Sequence, residues 1–272
     1  MKILKIVDLE YALKQKADQF LIKNLPFTVN MMDTIRRFRD RSDSYFLVDG
    51  SNIMAALTVF RSGYNPHIWN DPIIWVAGSA EESMKLVSLI NLNKSVLVSS
   101  NDISRFIKNK YLRARSFSED IMVREKMPED STFDYSSQLL SKKYAGESIA
   151  LSLGGTKGED NNNLIVREQR FLMERKCYGI IHEGKLVSRG AVMSSVKEYS
   201  SVGAFLTDER WRGQGYASDV IKAVLSETSR VSDNSCLFVN EKNERARSVY
   251  NKLGFSILQK VYFCEIDTRV TP

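Results

Sequence analysis

The chain has 272 residues, of which 43% are hydrophobic and 26% charged, with a net charge of +6. That is the make-up of a globular chain with one large or two small domains and enough length for a sizeable core. No stretch approaches the roughly 18 uninterrupted apolar residues that cross a membrane, and MKILKIVDLEYALKQKADQ turns charged at Asp8, too early for a signal peptide; the expectation is a cytoplasmic protein without membrane partners.

The first half alternates helix and strand. Helices are expected over 9–23 and 29–39. The densest basic run, IRRFRDR at 35–41, closes the second, with Ile35 and Phe38 inward and its arginines in solvent. No aromatic-plus-glycine signature accompanies it, so no nucleic-acid partner is expected. YFLVDGSNIMAALTVF reads as a hairpin, with strands at 45–48 and 53–60 joined by DGSN. Pro66 and Pro72 bracket a loop whose Tyr64 and Trp69 are assigned to packing. A buried strand follows at 73–78, then a helix from Ala80 with Glu81 and Glu82 in its first turn. SVLVSS is a strand and ISRFIKNKY a helix. The polar, proline-containing 125–137 marks a boundary between domains at 1–125 and 126–272.

GGTKGEDNNN, 154–163, lacks the GxxxxGK[ST] spacing of a phosphate-binding loop and reads as a surface loop. LIVREQRFLMERK is a helix. A hairpin follows, with strands at 177–181 and 186–194 and a turn at HEGK. Strand SSVGAFLT runs into a glycine loop and a helix through about residue 229; then come a strand at 236–240, a helix at 243–252 closed by Gly254, and a last strand, FSILQKVYFCEI. Cys177, Cys236 and Cys264 are distant, odd in number and set in strand-like runs, so they read as buried thiols rather than a disulfide or zinc framework. With only His67 and His182 in the chain, no histidine-rich metal site is expected.

Two segments carry chemistry. In DERWRGQGYASDV, glycines stand at the N-terminus of a helix that follows a strand. The unpaired N–H groups there, Gly213 and Gly215 without side chains, the charge of Arg212 and the small Ala217 and Ser218 make an anion site suited to a pyrophosphate. A dinucleotide-binding GxGxxG is a poor alternative, because the third glycine is missing and the element sits late in a hairpin-rich context. The second segment is VNEKNERARSVYNKLGF, a strand, a turn and a helix carrying Ala246, Val249, Tyr250 and Leu253.

Together these segments resemble the GNAT superfamily of N-acyltransferases. Arg212, Gly215 and Ala217 fit its Q/R-x-x-G-x-G/A motif, and Asn243, Ala246, Tyr250, Gly254 and Phe255 its second motif, over roughly residues 137–266. GAFLTDERWRGQGYAS is also similar to a two-domain type, including the glycine N-acyltransferases, in which a divergent GNAT-like half precedes the active one. The first half here has no R-x-x-G-x-G loop and is assigned no cofactor. The resemblance implies an α/β (α+β) fold, a mixed and mostly antiparallel sheet flanked by helices, with a second α/β domain in front.

It further implies a donor, acetyl-CoA, lying where two strands splay apart. Phe205, Leu206 and Thr207 would pair with its pantetheine arm, and Arg212, Gly213, Gln214, Gly215, Tyr216, Ala217 and Ser218 would hold its pyrophosphate. Asn243 would touch the arm, cap the helix, or both. Tyr250 would protonate the leaving thiolate. The base is not evident: Glu198, Asp208 and Glu209 read as solvated charges, and His182 sits in a turn. The expected reaction is direct transfer of an acetyl group to a small primary amine or amino acid, without metal. The alternative is a CoA-binding sensor or scaffold that does no chemistry. The first half is left two roles, closing the acceptor pocket or forming a homodimer.

Overall fold

The DGSN turn forms where expected, with Gly50 at φ +58° joining strands β2 (Ser42–Asp49) and β3 (Asn52–Phe60). In this computed structural model, residues 1–61, 72–90, 94–110, 114–152 and 161–267 are described. The loop carrying Tyr64, Pro66, His67 and Trp69 lies outside them, as does most of GGTKGEDNNN.

Ahead of the hairpin stand β1 (Lys2–Lys5), α1 (Tyr11–Lys23) and α2 (Val29–Arg37). After it come β4 (Ile73–Ala77), α3 (Ala80–Val87), β5 (Lys94–Ser99), α4 (Ser104–Lys110) and β6 (Arg115–Glu125). The rest of the chain supplies β7 (Gln138–Leu139), α5 (Ala145–Ser152), α6 (Asn161–Glu174), β8 (Lys176–His182), β9 (Lys185–Ser195), β10 (Tyr199–Thr207), α7 (Tyr216–Thr228), β11 (Asn234–Asn240), α8 (Glu244–Lys252) and β12 (Ser256–Asp267). The asparagines read as the end of a loop open α6 instead, and the short β1, β7 and α5 add to the elements read from sequence.

Among the described residues the twelve strands form one sheet, in the order β1-β2-β3-β4-β5-β12-β6-β11-β10-β9-β8-β7. Its centre is a crossover between β6 and β12. β6 pairs antiparallel with β11, and β12 pairs antiparallel with both β6 and β5. The final strand of residues 1–125 thus extends the sheet of the later strands, and the final strand of the chain extends the sheet of the earlier ones.

β6 is absent from the expectations because RSFSEDIMVRE carries charges mid-strand. Two of these charges are paired in the fold. Asp120 (4% exposed) lies 3.6 Å from Arg247 and 3.5 Å from Lys260. Arg124 forks onto the Asp130 carboxylate at 2.6 and 2.5 Å and donates to the Leu253 carbonyl at the end of α8. Asp130 also accepts from Met127 N–H, so the segment after β6 is pinned as a turn. Farther on, Asp219 of α7 accepts from the backbone N–H groups of Ser136 and Ser137 at 2.7 and 2.9 Å.

Apolar side chains collect in three clusters. One lies under α7 and α8, and one joins α3 and α4 to the early strands. The third is shared: Phe27, Met31, Phe46 and Trp75 from the first half pack into one body with Phe171, Leu172, Cys177 and Ala191 from the second. All three cysteines are buried and reduced. Asp33 on α2 and Arg175 after α6 form a buried ion pair at 3.0 Å within this seam. The arginine face expected in solvent is partly covered here. Arg41 stacks over Phe38 and pairs with Glu174 at 2.9 Å, and Arg37 donates to the Glu174 carbonyl, because the end of α6 packs on this side.

Removing Asp33 leaves the Arg175 guanidinium buried without that carboxylate. Asp33→Ala is expected to cost about 3–5 kcal/mol, read as a lower urea midpoint; a loss under about 1 kcal/mol would mean the pair contributes no more than a surface bridge.

Candidate active site

β10 and β11 run parallel and pair only from Tyr199 to Ser201 against Asn234 to Cys236. Beyond that point they part. β10 is pulled aside by a bulge against β9: Gly203 stands opposite Ala191, Leu206 opposite Arg189, and Ala204 between them takes φ +54°. Gly190 makes the bulge possible, since a Cβ there would overlap the Phe205 ring. The strands enclose a cleft of about 300 Å³. Its sides are residues 202–206 and 237–240; Asn243 and Tyr250 of α8, Glu119 of β6, Arg189 and Ser152 complete it.

Phe205 and Leu206 line this cleft as expected, whereas Thr207 stands outside the lining and its hydroxyl meets Ser188 Oγ at 2.9 Å. The glycine loop follows. Gly213 (φ +79°) and Gly215 (φ +85°) both need the left-handed region, and a Cβ at either would meet open space. Gly215 is the N-cap of α7 and offers no side-chain cap, so the first-turn N–H groups of Tyr216, Ala217 and Ser218 point outward without an intrahelical acceptor. Gln214 is exposed beside them. Arg212 donates to Glu209 at 2.9 Å and to the Thr207 carbonyl at 3.3 Å, which holds its guanidinium beside the loop. Arg210, exposed, forks onto Asp208. That pairing holds the Asp208 carboxyl down at about 2, too weak a base to take a proton from an amine near neutrality. His182 stacks beside Trp211 at 4.1 Å, away from the cleft lining.

Asn243 caps α8, its side-chain oxygen accepting from Ala246 N–H at 3.1 Å, and it also lines the cleft. Tyr250 is 8% exposed, flanked by Phe205 and Phe255 at ring distances of 6.1 and 6.0 Å. Burial, with a smaller push from Glu119, raises its hydroxyl to about 12, so it stays protonated at neutral pH.

Glu119 is the functional group that the sequence reading missed. It stands on β6 between Asn240 of β11 and Val261 of β12 and faces the cleft. Burial pushes its carboxyl up to about 7, the range suited to a general base. The available signal was SEDIMV, a carboxylate pair breaking into an apolar run, but it acquires meaning only once β6 is known to lie beside β11. A more open hollow of about 530 Å³ adjoins the cleft across Asn240, walled by residues 115–118, Glu241, Lys242 and Glu265.

The corresponding point in the first half is built differently. β4 and β5 stay paired over four positions, and the N-terminus of α3 is closed by a capping box between Ser79 and Glu82. Its first-turn acids, Glu81 and Glu82, oppose an anion. Among the described residues no cluster of three metal-binding side chains occurs, and no helix is long and apolar enough to cross a membrane.

The fold defined by the splayed strands and glycine-opened helix is that of the GNAT acetyltransferases. A tandem GNAT protein from the clavulanic acid biosynthesis pathway superposes with a TM-score of 0.59 over 100% of this chain and 99% of its own at 13% identity. A GCN5-related N-acetyltransferase-like protein from Streptococcus suis gives 0.58 at 16% identity, covering 94% and 98% of the two chains. A GNAT-family acetyltransferase from Colwellia psychrerythraea gives 0.56 at 14% identity, covering 98% and 100%. Residues 177–264 match the family model described as FR47-like protein. No curated protein shows significant sequence similarity to the chain.

A raised carboxyl costs stability once it ionises. Between the ordinary value of 4.5 and about 7, folded Glu119 holds a proton that the unfolded chain has lost, so its contribution to stability falls as pH rises through that window. Glu119→Gln removes this cost. Its Tm is expected to match the wild type near about pH 4 and exceed it above about pH 7; parallel Tm–pH curves for the two proteins would contradict the buried placement of this carboxyl.

Proposed function

We propose that the protein is an acyl-CoA-dependent N-acyltransferase that moves an acetyl group from acetyl-CoA to a primary amine of a small molecule or amino acid. The observation that carries the reading is the cleft between β10 and β11, lined by both Tyr250 and Glu119, together with the uncapped glycine loop that follows β10. The first-turn amides of α7, with Arg212, suit a pyrophosphate. The β10 edge at Phe205 and Leu206, freed from β11, suits an extended amide-bearing arm, and Asn243 stands along its course. CoA supplies the thioester; the chain's own groups handle the protons. The amine gives its proton to Glu119 as its nitrogen bonds to the acyl carbon. The carbon–sulfur bond breaks, and the departing sulfur takes the Tyr250 proton. Glu119, positioned as a base, removes the main reason for preferring a CoA sensor without chemistry.

We also propose that the chain consists of two halves, 1–125 and 126–272, with the catalytic machinery in the second and its base lent by the first through β6. The first half then serves to complete the site rather than to bind a second CoA.

Isothermal titration with acetyl-CoA is expected to give saturable heat; neither heat nor thermal stabilisation at millimolar ligand would refute donor binding. Tyr250→Phe is expected to lower kcat by about 100-fold or more with little change in the KM for acetyl-CoA. In wild type, kcat/KM for the amine should rise with pH through about 7, and Glu119→Gln should lose that rise. Unchanged turnover in Tyr250→Phe would remove it as the acid.

A further inference from the structure

Arg189 on β9 is one of the largest fully buried side chains, at 1% exposure, and it forms part of the cleft wall. Its Nη2 donates to Ser152 Oγ at 3.0 Å. Its Nη1 lies 3.2 Å from Glu168 Oε1, close enough for attraction but misaligned for a hydrogen bond. Its Nε makes no hydrogen bond at all. The guanidinium rests over the Phe171 ring at 5.6 Å. Glu168 is itself fully buried and accepts from Ser148 Oγ at 2.6 Å while its charge faces Arg189.

This is an expensive way to fill a core. A buried guanidinium needs a partner for its charge and acceptors for its N–H groups, and an unmet donor carries its full desolvation cost. Glu168 answers the charge, and Ser152 answers one donor. If anchoring α5 and α6 to the sheet were the whole purpose, methionine or leucine would do it without the orphaned Nε. Arg189, whose Nε is the orphan, is among the residues lining the cleft that holds Glu119 and Tyr250. The β10 bulge, where Leu206 faces Arg189 in register, is what opens the wall at that level.

We infer that Arg189 is a specificity-determining residue that binds a carboxylate on the acceptor, so the amine substrate is an amino acid rather than a simple alkylamine. The inference rests on the acyltransfer reading above and names the acceptor class for the same cleft. The Nε edge, shared with Nη2, donates to the carboxylate oxygens in charge-assisted bonds, with Ser152 beside them. The amine end of the same molecule then faces Glu119 on β6. Two anchors fix the nitrogen for attack, and a molecule without the carboxylate leaves the Nε donor as unmet as it is in the empty cleft.

The test compares three acceptors of similar size with the full-length protein and acetyl-CoA: amino acids, their α-carboxamides, and alkylamines without either group, followed by free thiol release. Amino acids should exceed their carboxamides in kcat/KM by roughly 10- to 100-fold, the range of one charge-assisted hydrogen bond. Arg189→Gln should abolish that ratio by lowering turnover of the acids more than that of the amides; Arg189→Lys should restore part of it. A merely structural Arg189 would depress all three acceptors together. Equal use of acids and amides by the wild type overturns the inference even if Arg189→Gln fails to fold. In that case measurable turnover of the amides leaves the acyltransfer reading intact, whereas absence of thiol release with every acceptor overturns both.

Discussion

The hydrogen bonding of β6 between β11 and β12 is the constraint on which the rest of the molecule depends. It joins the two halves into one sheet, continues the β11 side beyond the point where β10 departs, and sets Glu119 at the rim of the cleft. Its other charges are spent on structure. Arg124 ties the strand to the turn at Asp130 and to the end of α8, and so fixes the helix that carries Tyr250. Tyr250 and Glu119 are thus held by neighbouring parts of one network, although they lie over a hundred residues apart in the chain.

Around that strand, the cleft follows from two local irregularities. The parallel pairing of β10 with β11 stops after three positions, and the bulge opposite Gly190 turns Phe205 across the opening. Regular pairing at this place, as between β4 and β5, leaves no such cleft, and a self-capped helix start leaves no anion cradle. The β4–β5 and β10–β11 pairs therefore differ in strand spacing and in the capping of the helix that follows the first strand.

Much of this was legible in sequence. The glycine loop, the capping Asn243 and the Tyr250 helix are local features, since turn chemistry, caps and helical stripes depend on residues close in the chain. Most hairpin and helix limits fell within a few residues for the same reason. β6 was not legible. Its Glu119, Asp120 and Arg124 look like surface charges until partners from residues 130, 240, 247 and 260 surround them, and those partners come from distant segments. That Glu119 went unread is the direct result: a residue whose placement depends on a non-local strand cannot be recognised before the pairing is known. The covered Arg41 face went unread for the same reason, because it meets Glu174 only across the seam between the halves.

The place of β12 also bears on how the chain acquires its shape during synthesis. The early sheet ends at β5, whose outer edge is met by residues 262–267. A ribosome must therefore make the residues through β12 before that edge can be covered, and an uncovered strand edge invites pairing with other chains. The shared core has the same timing, since Phe27 and Met31 wait for Phe171 and Leu172. Such distant closures slow folding, because loop-closure entropy is lost before the contacts that compensate it are made. The arrangement that supplies the cleft with its carboxylate thus leaves the nascent first half aggregation-exposed until β12 is made.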